Sequence, residues 1–195
     1  MKLNIPKFII NALIRHAKKT PFDHLGDYME RYWVFNPKGF FSRWFTARVH
    51  VIKRGDADRH LHDHPWSYTT FILKGGYTEV THFEKLNEAM KHSWREGEKN
   101  AVHRIQYNTE MDKWECRVYY GSGSIIHRKA GSPHRLEVAE GESATTLFVM
   151  GNYQNKWGFY TPEGKIYWRD YLDKEDVTKR AAVIQEHYTD NQKAA

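Results

Sequence analysis

Hydrophobic and polar positions change their rhythm twice along the chain. Over residues 5–17, Ile5, Phe8, Ile9, Ala12 and Leu13 recur at helical spacing, with Lys7, Asn11, Arg15 and Lys18 on the other face, and Pro21 closes the segment. This predicts an amphipathic helix within residues 1–20 that covers its apolar stripe by packing on the main body. From 28 to 169 the pattern shortens to strands rich in β-branched and aromatic residues: 43–53, 67–73, 77–83, 115–120, 124–128, 145–150 and 165–168. Turns containing glycine separate many of them, at Gly55-Asp56, Gly75-Gly76, Gly121-Ser122-Gly123, Gly131-Ser132-Pro133, Glu140-Gly141 and Pro162-Glu163-Gly164. The charged stretch 85–100 reads as a loop or short helix inserted between strands. A second helix is predicted over 173–190, capped by Asp173, with Val177, Ala181, Ile184 and Tyr188 on one face. Many short strands with regular turns predict a sandwich or barrel. With no internal repeat or low-complexity linker, residues 1–195 are expected to form one mainly β domain with helical ends.

Composition narrows the classes. The 195 residues are 40% hydrophobic and 15% aromatic, enough for a packed β core. The lone Cys116 excludes an internal disulfide and favours a reducing, cytoplasmic setting. The longest uncharged apolar run near the start, Phe8 to Ile14, is too short to span a membrane, and no cleavage-type signal follows the lysine-rich start. Net charge is +6, but Lys2, Lys7, Arg15, Lys18 and Lys19 supply most of it and residues 1–20 hold no acid. The rest is nearly neutral, so tight nucleic-acid binding is not expected.

The 12 histidines carry the chemistry, densest in Arg59-His60-Leu61-His62-Asp63-His64-Pro65-Trp66. Residues two apart on a strand share a face, so His60, His62 and His64 can point one way. Two imidazoles so placed can reach one metal ion, and imidazole suits iron, manganese, nickel, copper and zinc. A further ligand has to come from another strand, and His134, after the turn at Gly131-Ser132-Pro133, is the best placed.

These segments resemble the cupin superfamily. Its first motif is Gly, five residues, His-x-His, three or four residues, Glu, six residues, Gly. Here His62-x-His64 precedes Tyr68 by three residues, and Gly75 follows after six, while Gly55 lies one residue too far upstream. In the second motif, Gly123, Gly131 and His134 keep the spacing, but Lys129 stands where the family has Pro and Val138 where it has Asn. The resemblance covers roughly residues 43–151. The wording His62-Asp63-His64-Pro65-Trp66, Leu73–Glu79, Pro133–Leu136 and Trp157–Gly164 is also similar to a group of bacterial and phage cupins.

The resemblance implies a cupin-type antiparallel β-barrel, or jelly roll, holding one divalent transition metal on His62, His64 and His134. Fe(II) is the favoured ion, with Zn, Mn or Ni as alternatives. Tyr68 occupies the position of the family's Glu ligand. It is expected as a weak ligand, a hydrogen-bond donor in catalysis, or core. Arg135 is a second catalytic candidate. On a strand it faces away from His134, and Arg128, Lys129 and Arg117 compete with it for an anionic substrate group. Tyr77, Glu79, Trp66 and Trp44 either line the barrel or fill its core. The implied function is a mononuclear Fe(II)-type oxygenase on a small polar substrate. The alternatives are a metal-dependent isomerase or lyase, a binding module without catalysis, and a nucleic-acid-associated protein. Pairing through edge strands would give a homodimer.

Overall fold

Thr46–Ile52 and Ala144–Met150 carry apolar residues on both faces, and the molecule uses both sides. The structure, a computed structural model, describes residues 3–35, 46–56, 60–97 and 103–174. Helix α1 is Lys7–Ala17, followed by strands β1 (Pro21–Leu25), β2 (Met29–Trp33), β3 (Thr46–Ile52), β4 (Leu61–His62) and β5 (Tyr68–Phe83). After helix α2 (Leu86–Gly97) come β6 (His103–Asn108), β7 (Lys113–Gly121), β8 (Ile125–Arg128), β9 (Arg135–Glu137) and β10 (Ala144–Met150). β11 (Gly158–Thr161), β12 (Gly164–Tyr167) and helix α3 (Trp168–Lys174) follow.

Among the described residues, the large sheet runs β1-β2-β3-β10-β5-β7-β6, with β8 and β9 also paired to β5. A smaller sheet runs β12-β11-β4. Every strand pairing among the described residues is antiparallel, giving the mainly β, antiparallel architecture that was expected. One face of β3 and β10 packs Ala47, Val49, Leu147 and Val149 against Leu13, Ile14 and Ala17 of α1. The other face looks into the barrel, where Ile52, Ile72, Tyr77, Val118, Tyr120 and Ile126 meet Ala89 of α2. No helix among the described residues is long and apolar enough to cross a membrane.

Several expectations change. Strand structure begins at Pro21, ahead of residue 28, and residues 86–97 of the ambiguous charged stretch are helical. Gly75-Gly76 does not end a strand: β5 continues through it, just after a bulge at Leu73 where the register against β10 steps from Thr146↔Ile72 to Thr145↔Lys74. Gly75 has φ +65°, and a Cβ there would lie 1.9 Å from the Ser143 carbonyl oxygen, so glycine is required. The α1 stripe is also rotated. Ile10 and Ala17 are buried, whereas Phe8 is 72% exposed and Ile9 46% exposed. Leu13, Ile14 and Ala17 pack on the β3/β10 surface and Ile10 is buried, so the covered ridge shares only Leu13 with the expected stripe. Trp44 and all but the first two residues of the helix expected over 173–190 lie outside the described residues.

Candidate metal centre

Backbone pairing brings the histidines together. His62 and His134 form an antiparallel bridge in which each N–H donates to the other's carbonyl, at 2.9 Å both ways. Directly opposed residues place their side chains on the same face. His64, two residues on, shares that face, and its carbonyl accepts from Gly131 N–H at 2.9 Å. The three rings form a near-equilateral triangle, with centroids 5.3, 4.8 and 5.1 Å apart. One nitrogen from each ring lies within 4.8 Å of the others.

The environment of His64 and His134 favours neutral imidazoles. Burial, reinforced by the other histidines, holds His64 well below the usual histidine range. Burial and the His62 charge lower His134 to about 4. His134 Nδ1 donates to the Ser132 carbonyl at 3.1 Å, which fixes the tautomer and leaves Nε2 as the lone-pair nitrogen. His62 Nδ1 stands 3.6 Å from Asp56 Oδ2, a carboxylate positioned to orient the ring. Asp56 is itself held by the Tyr28 hydroxyl at 2.5 Å and by Leu136 N–H at 2.7 Å. Three converging imidazoles, two of them held neutral by burial, fit a divalent first-row ion.

Tyr68 joins this group: its hydroxyl lies 3.3 Å from His134 Nε2. Burial and the charge of Glu79 push the phenol well above its ordinary value, so it stays protonated and can donate. His60 turns away, its Nδ1 2.9 Å from the Tyr171 hydroxyl, and its ring packs edge-on to Tyr171. Asp63, fully buried, also points elsewhere. It accepts from Gly158 N–H and the Tyr160 hydroxyl and pairs with Lys165, tying β4 to β11 and β12.

Arg135, named as a catalytic candidate, donates to Glu137 at 2.6 Å, and Arg117 shares that carboxylate. Arg128 is committed to Glu79 through two nitrogens and to the Tyr120 hydroxyl at 2.9 Å. Tyr120 in turn donates to Glu96 of α2 at 3.0 Å. This buried network borders the histidines without presenting a free cation to them. Sequence reading left Glu79 open between lining and core, and missed the part played by Asp56. Asp56 sat in a segment read only as a turn, and its partners come from 28 residues upstream and 80 downstream.

No family model matches this chain, and no curated protein matches it. Among solved structures, the polyketide cyclase RemF from Streptomyces resistomycificus aligns at 14% identity with a TM-score of 0.41, over 66% of this chain and 68% of that one. Oxalate decarboxylase from Bacillus subtilis aligns at 14% identity and TM-score 0.46, over 89% of this chain and 35% of that one. The DMSP lyase DddQ from Ruegeria pomeroyi DSS-3 aligns at 17% identity and TM-score 0.42, over 71% and 54%. The chain thus spans about a third of the decarboxylase and about half of the lyase.

Proposed function

We propose that this chain is a metal-binding cupin that holds one divalent transition metal on His62, His64 and His134 and acts on a small polar substrate. The observation that carries the reading is the reciprocal His62–His134 bridge, which sets a ligand from the second motif against the pair from the first. When bound, the metal supplies Lewis-acid or one-electron chemistry at an all-nitrogen site. The chain's own residues do the rest. Asp56 orients His62, the Ser132 carbonyl sets the His134 tautomer, and Tyr68 donates a hydrogen bond beside Nε2. The surrounding barrel excludes bulk water.

Among metal-dependent reactions we favour an Fe(II)-type oxygenase, because three neutral donors leave the site cationic and able to accept an anionic substrate and dioxygen together. An isomerase or lyase on the same site is the second reading, supported by the protonated Tyr68 as an acid. A cytoplasmic location accords with the free, buried Cys116. The test is elemental analysis of protein purified without chelators, followed by oxygen-uptake measurements with the Fe(II)-loaded chain. Stoichiometric metal that disappears in His134→Ala supports the site. Equal metal content in both proteins overturns it, and metal without substrate-dependent oxygen uptake favours the second reading.

A further inference from the structure

Helix α1 has two apolar sides, and the barrel covers one of them. Leu13, Ile14 and Ala17 pack on β3 and β10, and Ile10 is buried. At 100° per residue, Phe8, Ile9 and Ala12 project from the other side. Phe8 is 72% exposed, Ile9 46% exposed, and Ala12 is exposed as well. Phe8 and Ala12 stand one turn apart and Ile9 adjoins them, so they form a continuous strip rather than scattered side chains.

Cations rim this strip. Lys7, Arg15, Lys18 and Lys19 are all exposed, and residues 1–20 contain no Asp or Glu. Among the described residues, no carboxylate is ion-paired with any of the four. Glu30, whose carboxyl feels the Lys18 charge, is instead paired with Lys53 at 2.6 Å. Lys74 of β5 adds a fifth cation, its Nζ donating to Asn11 Oδ1 of the helix at 2.7 Å. Charge and apolar surface meet in the same hollows. A groove of about 480 Å³ is lined by Phe8, Asn11, Ile14, Arg15 and Lys18. A second, of about 520 Å³, has Ile5, Ile10, Lys7 and Lys74 among its walls.

These features select the partner. A second copy of this chain would set the patch against itself in a twofold contact and oppose cations with cations. A nucleic-acid backbone would meet the cations but leave Phe8, Ile9 and Ala12 uncovered. A bilayer carrying anionic phospholipid answers both, because its headgroups meet Lys and Arg while the acyl boundary takes the apolar strip. The exposed ridge Leu86, Met90 and Trp94 on α2 differs. There Glu84 and Glu88 interleave with Lys85 and Lys91, so it matches no surface of a single sign.

We infer that α1 is an interfacial helix, whose Phe8-Ile9-Ala12 strip and surrounding cations dock this chain on an anionic phospholipid membrane. The inference stands apart from the metal site and does not rest on the function proposed above.

The test is flotation of the full chain with vesicles of phosphatidylcholine alone, or with about one quarter phosphatidylserine, at low and raised salt. The chain is expected to float with the mixed vesicles, about tenfold or more tighter than with phosphatidylcholine alone, and less as salt rises. Phe8→Ser should lower affinity for the mixed vesicles about tenfold or more while keeping the parent melting midpoint. Exchanging Arg15 and Lys18 together for Gln should lower it about 25-fold, at about fivefold per charge. Trp94→Ser, on the α2 ridge, should leave it unchanged. No flotation with mixed vesicles, equal flotation with phosphatidylcholine alone, or full affinity in Phe8→Ser overturns the inference. Tighter binding to a DNA duplex than to vesicles also overturns it and assigns the cations to nucleic acid. A dimer that Phe8→Ser dissociates overturns it too and assigns the strip to a second copy. The two vesicle compositions are compared on the unmodified chain, so they decide even if a variant unfolds.

Discussion

The Tyr68 hydroxyl sits 3.3 Å from His134 Nε2, the nitrogen that its backbone partner Ser132 leaves available for a metal. A phenol kept protonated by burial therefore stands where the first cupin motif would place a carboxylate. Tyr68→Phe removes one hydrogen bond of about 1 kcal/mol and no imidazole, so metal affinity should change by less than about tenfold. Tyr68→Glu adds an anionic donor and should tighten divalent-metal binding. Competition against a chelator of known affinity measures both, and a large loss in Tyr68→Phe would make the phenol a ligand.

His134 and His60 should separate cleanly. His134→Ala removes one corner of the triangle and should lower metal affinity by about 100-fold or more, beyond what outer-shell changes typically cost. His60→Ala loses its contact with Tyr171 and should affect melting instead. Metal titration and thermal unfolding of the two variants give the comparison. Equal metal loss would show that the wrong pair was assigned within residues 60–64.

Rotation of the α1 stripe has a measurable consequence. Ile10→Ala opens space in a packed interface and should destabilise by about 2 kcal/mol, at the low end for such truncations. Phe8→Ala, at a position 72% exposed, should stay within about 0.5 kcal/mol. Urea midpoints decide, and the reverse order would restore the stripe read from sequence.

Glu115 predicts an acid limb in stability. Burial pushes its carboxyl up, but the His82 hydrogen bond, the Arg117 charge and the Asn108 amide outweigh it and lower the group from 4.5 to about 2. The unfolded chain therefore binds this proton first as pH falls. The stabilisation is complete above about 4.5 and is lost progressively towards 2, by at most about 1.4 kcal/mol per pH unit. Glu115→Gln should flatten that limb. Denaturant unfolding from pH 6 to pH 2 checks it, and parallel curves would refute the assignment.

How far the sequence is legible varies with the physics of each part. Enrichment in β-branched and aromatic residues announced β3, β7 and β10, because such side chains pack well on a pleated, buried surface. The pairing of His62, His64 and His134 was visible because His-x-His is a strand signal and motif spacing supplied the third ring. The short β4, with only Leu61 and His62, carries too little pattern to be seen. The helical spacing over residues 5–17 finds the element, but the stripe read from it shares only Leu13 with the buried side. The side actually buried is the one that fits Val49 and Leu147. Glu79 and Arg128 are 49 residues apart, and only the adjacency of β8 and β5 turns two isolated charges into a buried pair.

β5 spans residues 68–83 without interruption, with Tyr68 beside the histidines and Glu79 in the Arg128 network on the same inner face. Its bulge at Leu73 is what keeps both side chains inward. One residue gained or lost between them would turn either Tyr68 or Glu79 outward, along with every residue on its side of the change. This strand should therefore accept exchanges of residue type but resist insertions and deletions over its whole length. Lineages of this protein should accordingly differ in length elsewhere, in the connections between strands, while the span from 68 to 79 keeps its length.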